Sequence, residues 1–214
     1  MISRLKPELQ TILLAVLIYA LFGFVTWNYH SFPGWFVFII GGYVVAWHGS
    51  LRHEAVHMHP TTSEQLNELL VLPSLDLYLP FRLYAQTHTK HHINQNLTDP
   101  ELDPESFYLS KKRWNTLSLV RKCSYWIFHT LAGRLLLYPF WMIPYFWFDE
   151  AQRLARGDIR NLQAWTWHLL GITLTMSWAM GVCGIPLWEY LLLFVYPGTS
   201  LTLLRSFAEH RSHP

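Results

Sequence analysis

Five histidines in two short runs carry the chemistry that this 214-residue chain can offer. The first run is His53-Glu54-Ala55-Val56-His57, and the second is His88-Thr89-Lys90-His91-His92. On a helix, positions i and i+4 share a face about 6 Å apart. His53 and His57 so placed can share a metal ion. His88, His91 and His92 stand at i, i+3 and i+4 and share a face in the same way. Two such helices set face to face bring together neutral nitrogen donors without a cysteine, a set that suits zinc, copper, iron or nickel. A single HxxxH is weak, because it is commonly surface polarity or a core hydrogen bond. The pair is far more specific. His53 to His57 also spells HExxH, in which a zinc protease uses the two histidines as ligands and the glutamate as base. That alternative leaves His88, His91 and His92 without a role, since a protease needs one further ligand and not three.

The elements that must hold these histidines are apolar. The chain is 51% apolar and 14% charged, against about 25% charged in soluble domains. Disorder is excluded, because it needs low hydrophobicity and high charge. A mean hydropathy of +0.15 also argues against a bundle made only of membrane spans. The expected architecture is an all-α membrane protein of about four transmembrane helices in two hairpins, with interfacial helices and a cytoplasmic histidine-rich cap. The spans are read at about 9–27, 35–52, 165–182 and 187–204, with 53–163 cytoplasmic or interfacial. A signal peptide would have a shorter apolar core ending in small residues, whereas the first run ends in bulky aromatics. The stretches 66–81 and 125–148 are apolar but broken by prolines and charges. They are read as interfacial or re-entrant, because a single crossing by either would place spans two and four out of register. Lys and Arg lie at the N-terminus, throughout 82–122 and at 153–160, and are missing from the turns at 28–34 and 183–186. The positive-inside rule then puts both termini and the histidine runs on the cytoplasmic side. A formal charge of +2 gives no field for nucleic acid. Cys123 and Cys183 form no metal or disulfide pattern.

With Leu97-Thr98-Asp99-Pro100, Asp103-Pro104-Glu105-Ser106 and the run Arg205 to Arg211, the two histidine runs resemble the membrane fatty-acid-desaturase-like superfamily. Its members include acyl desaturases, alkane hydroxylases and carotenoid ketolases or hydroxylases. The likeness covers about residue 40 to the C-terminus. It implies a non-haem diiron site that activates O2 against a lipid C–H bond. By that likeness His53, His57, His88, His91, His92 and His210 bind two irons. A third HxxHH is expected after His210, yet the sequence stops at Pro214, so the domain reads as C-terminally incomplete. An inactive fragment therefore stays open beside the oxidoreductase and the zinc protease, as does hydroxylase or ketolase chemistry in place of desaturation.

Asp99, Asp103 and Glu105 are candidates to orient ligand imidazoles through their free N–H groups. Turn capping around Pro100 and Pro104 is an equal reading. Electrons must come from a separate protein of ferredoxin, rubredoxin or cytochrome type, because the chain has no GxGxxG, haem motif or iron–sulfur cysteine set. Lys111, Lys112 and Arg113 can dock such a donor or serve as positive-inside anchors. His48 and His59 fall off the ligand face. His30, His129 and His168 are read as structural, and Arg134 as a charge in an apolar run that needs a partner or snorkels.

Overall fold

The computed structural model describes residues 8–93, 99–103, 106 and 108–209, with side chains to residue 205. Every regular element among them is helical. Helix α1 spans Leu9–Trp27 and α2 spans Gly34–Val56. Near the other end, α10 (Leu187–Tyr190), a π-helical turn (Leu191–Val195) and α11 (Tyr196–Glu209) follow one another with helical backbone at each junction. The π turn lies just before Pro197, whose missing N–H and bulky ring oppose a regular α turn. Three helices are long and apolar enough to cross a membrane: Leu9–Trp27, Gly34–Val56 and Leu187–Arg205. The fourth expected span is helical without a break, as α9 (Leu162–Met176) and a π turn (Ser177–Val182). Its tryptophans, threonines and His168 dilute its apolar character below that of the other three. The protein is thus an all-α membrane protein.

Small residues let the spans approach. A Cβ on Gly198 would stand 2.5 Å from Val45, and one on Gly42 would stand 2.7 Å from Pro197. Lipid tails are as apolar as the helices, so close van der Waals packing of this kind holds spans together. Between α1, α2 and the last span, Phe22, Tyr190 and Phe194 form an aromatic core, with the Tyr190 and Phe194 rings stacked at 4.9 Å.

After α2 comes a short helix, α3 (Glu64–Leu70), with the Ser63 hydroxyl capping the Leu66 N–H. The chain then runs without regular structure from 71 to 80 into α4 (Phe81–Ile93). Pro73 and Pro80 remove donors from this segment, and its carbonyls lie among the spans. Away from water an unpaired carbonyl is costly, and side chains from surrounding helices supply the missing donors. Tyr19 donates to the carbonyl of Leu70 (2.6 Å) and Tyr190 to that of Leu75 (2.9 Å). Trp147 donates to Tyr78 (2.9 Å) and Arg52 to Leu79 (2.5 Å). Gly171 on α9 lies so close to the Leu72 carbonyl that a Cβ would collide with backbone. The segment is therefore clamped by several helices, and it fixes where α4 begins.

Four further helices follow: α5 (Lys111–Thr116), α6 (Leu119–Phe128), α7 (Leu131–Leu136) and α8 (Tyr138–Ala155). Ser110, Ser118 and Thr130 cap the first three through their hydroxyls. The stretch 125–148, expected as interfacial or re-entrant, is thus the end of α6, all of α7 and most of α8. Ser200 donates to the Leu135 carbonyl (2.7 Å), which seats α7 against α11.

Candidate metal centre

The first histidine run closes α2. His53 lies in its last turn, and His57 is the C-cap. Met58 adopts a left-handed conformation (φ 64). The N–H groups of Met58 and His59 then bond back to Ala55 and Glu54, a Schellman end. The turn stops the helix directly after His57. The second run is the last two turns of α4. Arg82 of α4 pairs with Glu68 of α3 at 2.5 Å, which ties α4 to the short helix that follows the first box.

Four imidazoles converge. Rings His53 and His57 are 4.7 Å apart, His53 and His88 4.6 Å, His57 and His92 4.6 Å, and His88 and His92 4.5 Å. Each offers a nitrogen, and the four lie within 4.8 Å of one another. The Nε2 of His88 faces the Nε2 of His57 at 3.2 Å and that of His92 at 3.0 Å. An imidazole nitrogen carries one proton or one lone pair, so it cannot serve both neighbours as a hydrogen-bond partner. A metal ion accepts all the lone pairs at once. Burial, followed by the neighbouring imidazoles of His53, His92 and His88, lowers the pKa of His57. It stands neutral at pH 7, as a ligand must. Four neutral nitrogens on one ion are a first-row transition-metal set.

His91 does not join the four. Its ring centre is 5.4 Å from that of His92, and its Nδ1 is 2.8 Å from Asp103 Oδ1, with both side chains buried. A carboxylate in this place orients an imidazole and raises its basicity. Asp99 acts differently: its carboxylate accepts the Glu101 and Leu102 N–H groups and closes a turn. His210 and Glu105 lie outside the described residues. Among the other histidines, His48 is buried in α2, His59 pairs with Glu8 at 3.0 Å, and His129 reaches the Tyr125 carbonyl.

One polar chain beside the centre is not apparent from the motifs. Arg52, adjacent to His53, pairs with Asp76 at 2.5 Å. Ser74 donates to the other Asp76 oxygen (3.1 Å), and His168 Nδ1 lies 3.2 Å from the Ser74 hydroxyl. Its signal in the sequence is Asp76, a lone charge inside an apolar stretch. A cavity of about 460 Å³ opens between this chain and the histidines. Arg52, His53 and His88 line one side, and Val45, Met142 and Phe146 give it apolar walls.

A family model described as fatty acid desaturase matches residues 29–214. The chain belongs to the fatty acid desaturase family. No curated protein and no solved structure matches it. The family domain holds both histidine runs, α2 and everything after it. Membership makes an oxidoreductase acting on lipid in a membrane the coarse assignment, and it suggests iron as the metal of the histidine cluster.

Proposed function

We propose that this desaturase-family chain uses a non-haem diiron centre and O2 to oxidise a C–H bond of an acyl or other lipid substrate. The observation that carries the reading is the convergence of His53, His57, His88 and His92 on one point. An unactivated C–H bond has no acidic proton and no leaving group, so side-chain acid–base chemistry cannot break it. Bound iron supplies the oxygen chemistry. The protein holds, orients and shields.

In this reading His53, His57, His88 and His92 supply one iron. His91, oriented by Asp103, and His210 contribute to the second. The apolar walls of the adjoining cavity take the hydrocarbon part of the substrate and keep water from it. The clamped segment 71–80 keeps α4 in register with α2, which holds the donor nitrogens in place. A separate donor protein brings electrons from the cytoplasmic side, where the reading also places both termini and the histidine boxes, and Leu162–Val182 completes a set of four spans. A zinc protease built on His53 and His57 needs an open position for water with Glu54 beside it. Here His88 and His92 crowd that position, and Glu54 instead lies 3.3 Å from the His53 ring.

Metal analysis of the purified protein, paired with lipid analysis of a host expressing it, tests the reading. About two irons per chain and a new oxidised or unsaturated lipid are expected, both lost on His88→Ala. One zinc per chain, or lipid products unchanged by His88→Ala, would overturn it.

A further inference from the structure

From Tyr108 to Phe148 the chain has six basic residues (Lys111, Lys112, Arg113, Arg121, Lys122 and Arg134) and no Asp or Glu. Five of the six lie on α5 and α6; Arg134 is buried. Lys111, Lys112, Arg113 and Arg121 are exposed, and Lys122 lies over the Trp114 ring at 5.7 Å. At 100° per residue, α6 has two faces. Leu119, Val120, Trp126 and Ile127 fall on one side and are exposed, the first three at 76%, 75% and 73%. Phe128 falls on the other and packs against Tyr138 at 5.2 Å. Arg121 and Lys122 leave the helix away from the exposed apolar stripe. On α8, Phe140, Trp141, Tyr145 and Phe148 make a second exposed stripe at helical spacing.

Neither helix is among those apolar enough to cross a membrane. Tryptophan- and leucine-bearing stripes flanked by lysine and arginine suit a helix lying in the headgroup region, with its apolar face about 5–10 Å into the acyl boundary. With no acidic side chain in its own sequence, the flank is complementary to anionic headgroups.

We propose that α5–α8 form a docking lobe for anionic phospholipid: α6 and α8 bury their stripes in one leaflet, and Lys111, Lys112, Arg113 and Arg121 hold the headgroups. The inner side of α8 carries Met142 and Phe146 into the wall of the cavity beside the histidines. Helix α8 therefore stands between the lipid on its outer stripe and the cavity. The inference rests on the chain being membrane-embedded and does not depend on its metal or its reaction.

Cys123 is exposed on α6 and Cys183 is buried, so a thiol-reactive fluorophore on the intact protein reports from the lobe. The labelled protein is placed in nanodiscs of phosphatidylcholine with increasing phosphatidylglycerol and nitroxide-labelled lipid. The label is expected to be quenched from a shallow depth as phosphatidylglycerol rises. Changing Lys111, Lys112, Arg113 and Arg121 to Gln should weaken the affinity for anionic lipid by about several hundredfold and so remove the response to phosphatidylglycerol, since each cation near the surface contributes about fivefold. Leu119→Ser with Ile127→Ser should keep the headgroup response and bring the label towards water. A label that stays in water at every lipid composition overturns the proposal, as does quenching that ignores both phosphatidylglycerol and the four substitutions. Protection of the label only on adding an acidic donor protein would assign the face to that protein instead, and also overturns it. Metal content is read on the same samples, so failure here is distinguishable from failure of the diiron reading.

Discussion

The protein holds two groups of polar side chains that meet at neighbouring positions of α2, Arg52 and His53, and they are built on opposite principles. In the chain His168–Ser74–Asp76–Arg52, each side chain meets a group of the protein. In the cluster His53, His57, His88 and His92, the nitrogens face one another. A set that completes itself from within the chain serves the fold. A set whose nitrogens converge on one point is arranged to hold an ion. In the proposed reading the contrast separates histidines of one type by role: His168 belongs to the architecture and His88 to the chemistry.

Substitutions break the comparison at either end. The largest effect is expected from His88→Ala. It removes the ring that faces both His57 and His92, and metal binding should be lost altogether, read by metal analysis of the purified protein. Stability of the metal-free form should fall less than on Asp76→Ala, because no buried charge is left without its partner. Asp76→Ala comes next. It leaves the Arg52 guanidinium buried beside its lost partner, which costs about 3–5 kcal/mol. Thermal unfolding in detergent should shift strongly, and poor expression is expected. The Arg52→Met, Asp76→Leu double variant should recover much of the loss, because replacing both members of a buried pair with apolar groups is far less costly than removing one.

The two groups were not equally legible in the sequence. The cluster was, because 3.6-residue periodicity fixes which histidines share a face, and both boxes lie on helices. Two refinements needed coordinates. His91 satisfies the same spacing as His88, yet Asp103 draws its ring away from the other four. Asp99 and Asp103 looked equivalent; Asp103 meets His91, and Asp99 closes a turn. Three of the expected spans stand out by composition; the fourth, with His168 and its tryptophans, does not. The polar chain was illegible because its members, at 52, 74, 76 and 168, are joined only by tertiary packing. No local period links them, and the irregular segment that gathers them owes its shape to hydroxyl, indole and guanidinium donors on other helices.

Asp103→Asn sharpens the distinction within the site. An amide keeps the shape and loses the charge that supports His91. Loss of such an orienting carboxylate typically lowers metal affinity about 10–100-fold. Competition with a chelator should show that weakening with the total metal capacity at saturation unchanged. If His91 has no part in holding metal, the affinity will not move.

The smallest effect is expected from Tyr190→Phe, and it tests the clamped segment alone. Tyr190 is fully buried, and its hydroxyl donates to the Leu75 carbonyl. Phenylalanine keeps the stack on Phe194 and the edge contact with Phe22, so packing is preserved and one donor is lost. The Leu75 carbonyl is then left without it among the spans, at about 1–3 kcal/mol. Unfolding of the metal-free protein should move to lower temperature by a few degrees. Metal affinity should fall less than in Asp103→Asn, because α4 keeps its Arg82–Glu68 tether. His88→Ala should show the reverse pattern, with metal binding affected more than metal-free stability. If both variants lower stability and metal binding in the same proportion, segment 71–80 and the histidine cluster are one cooperative unit, and the division between fold and chemistry drawn on α2 fails.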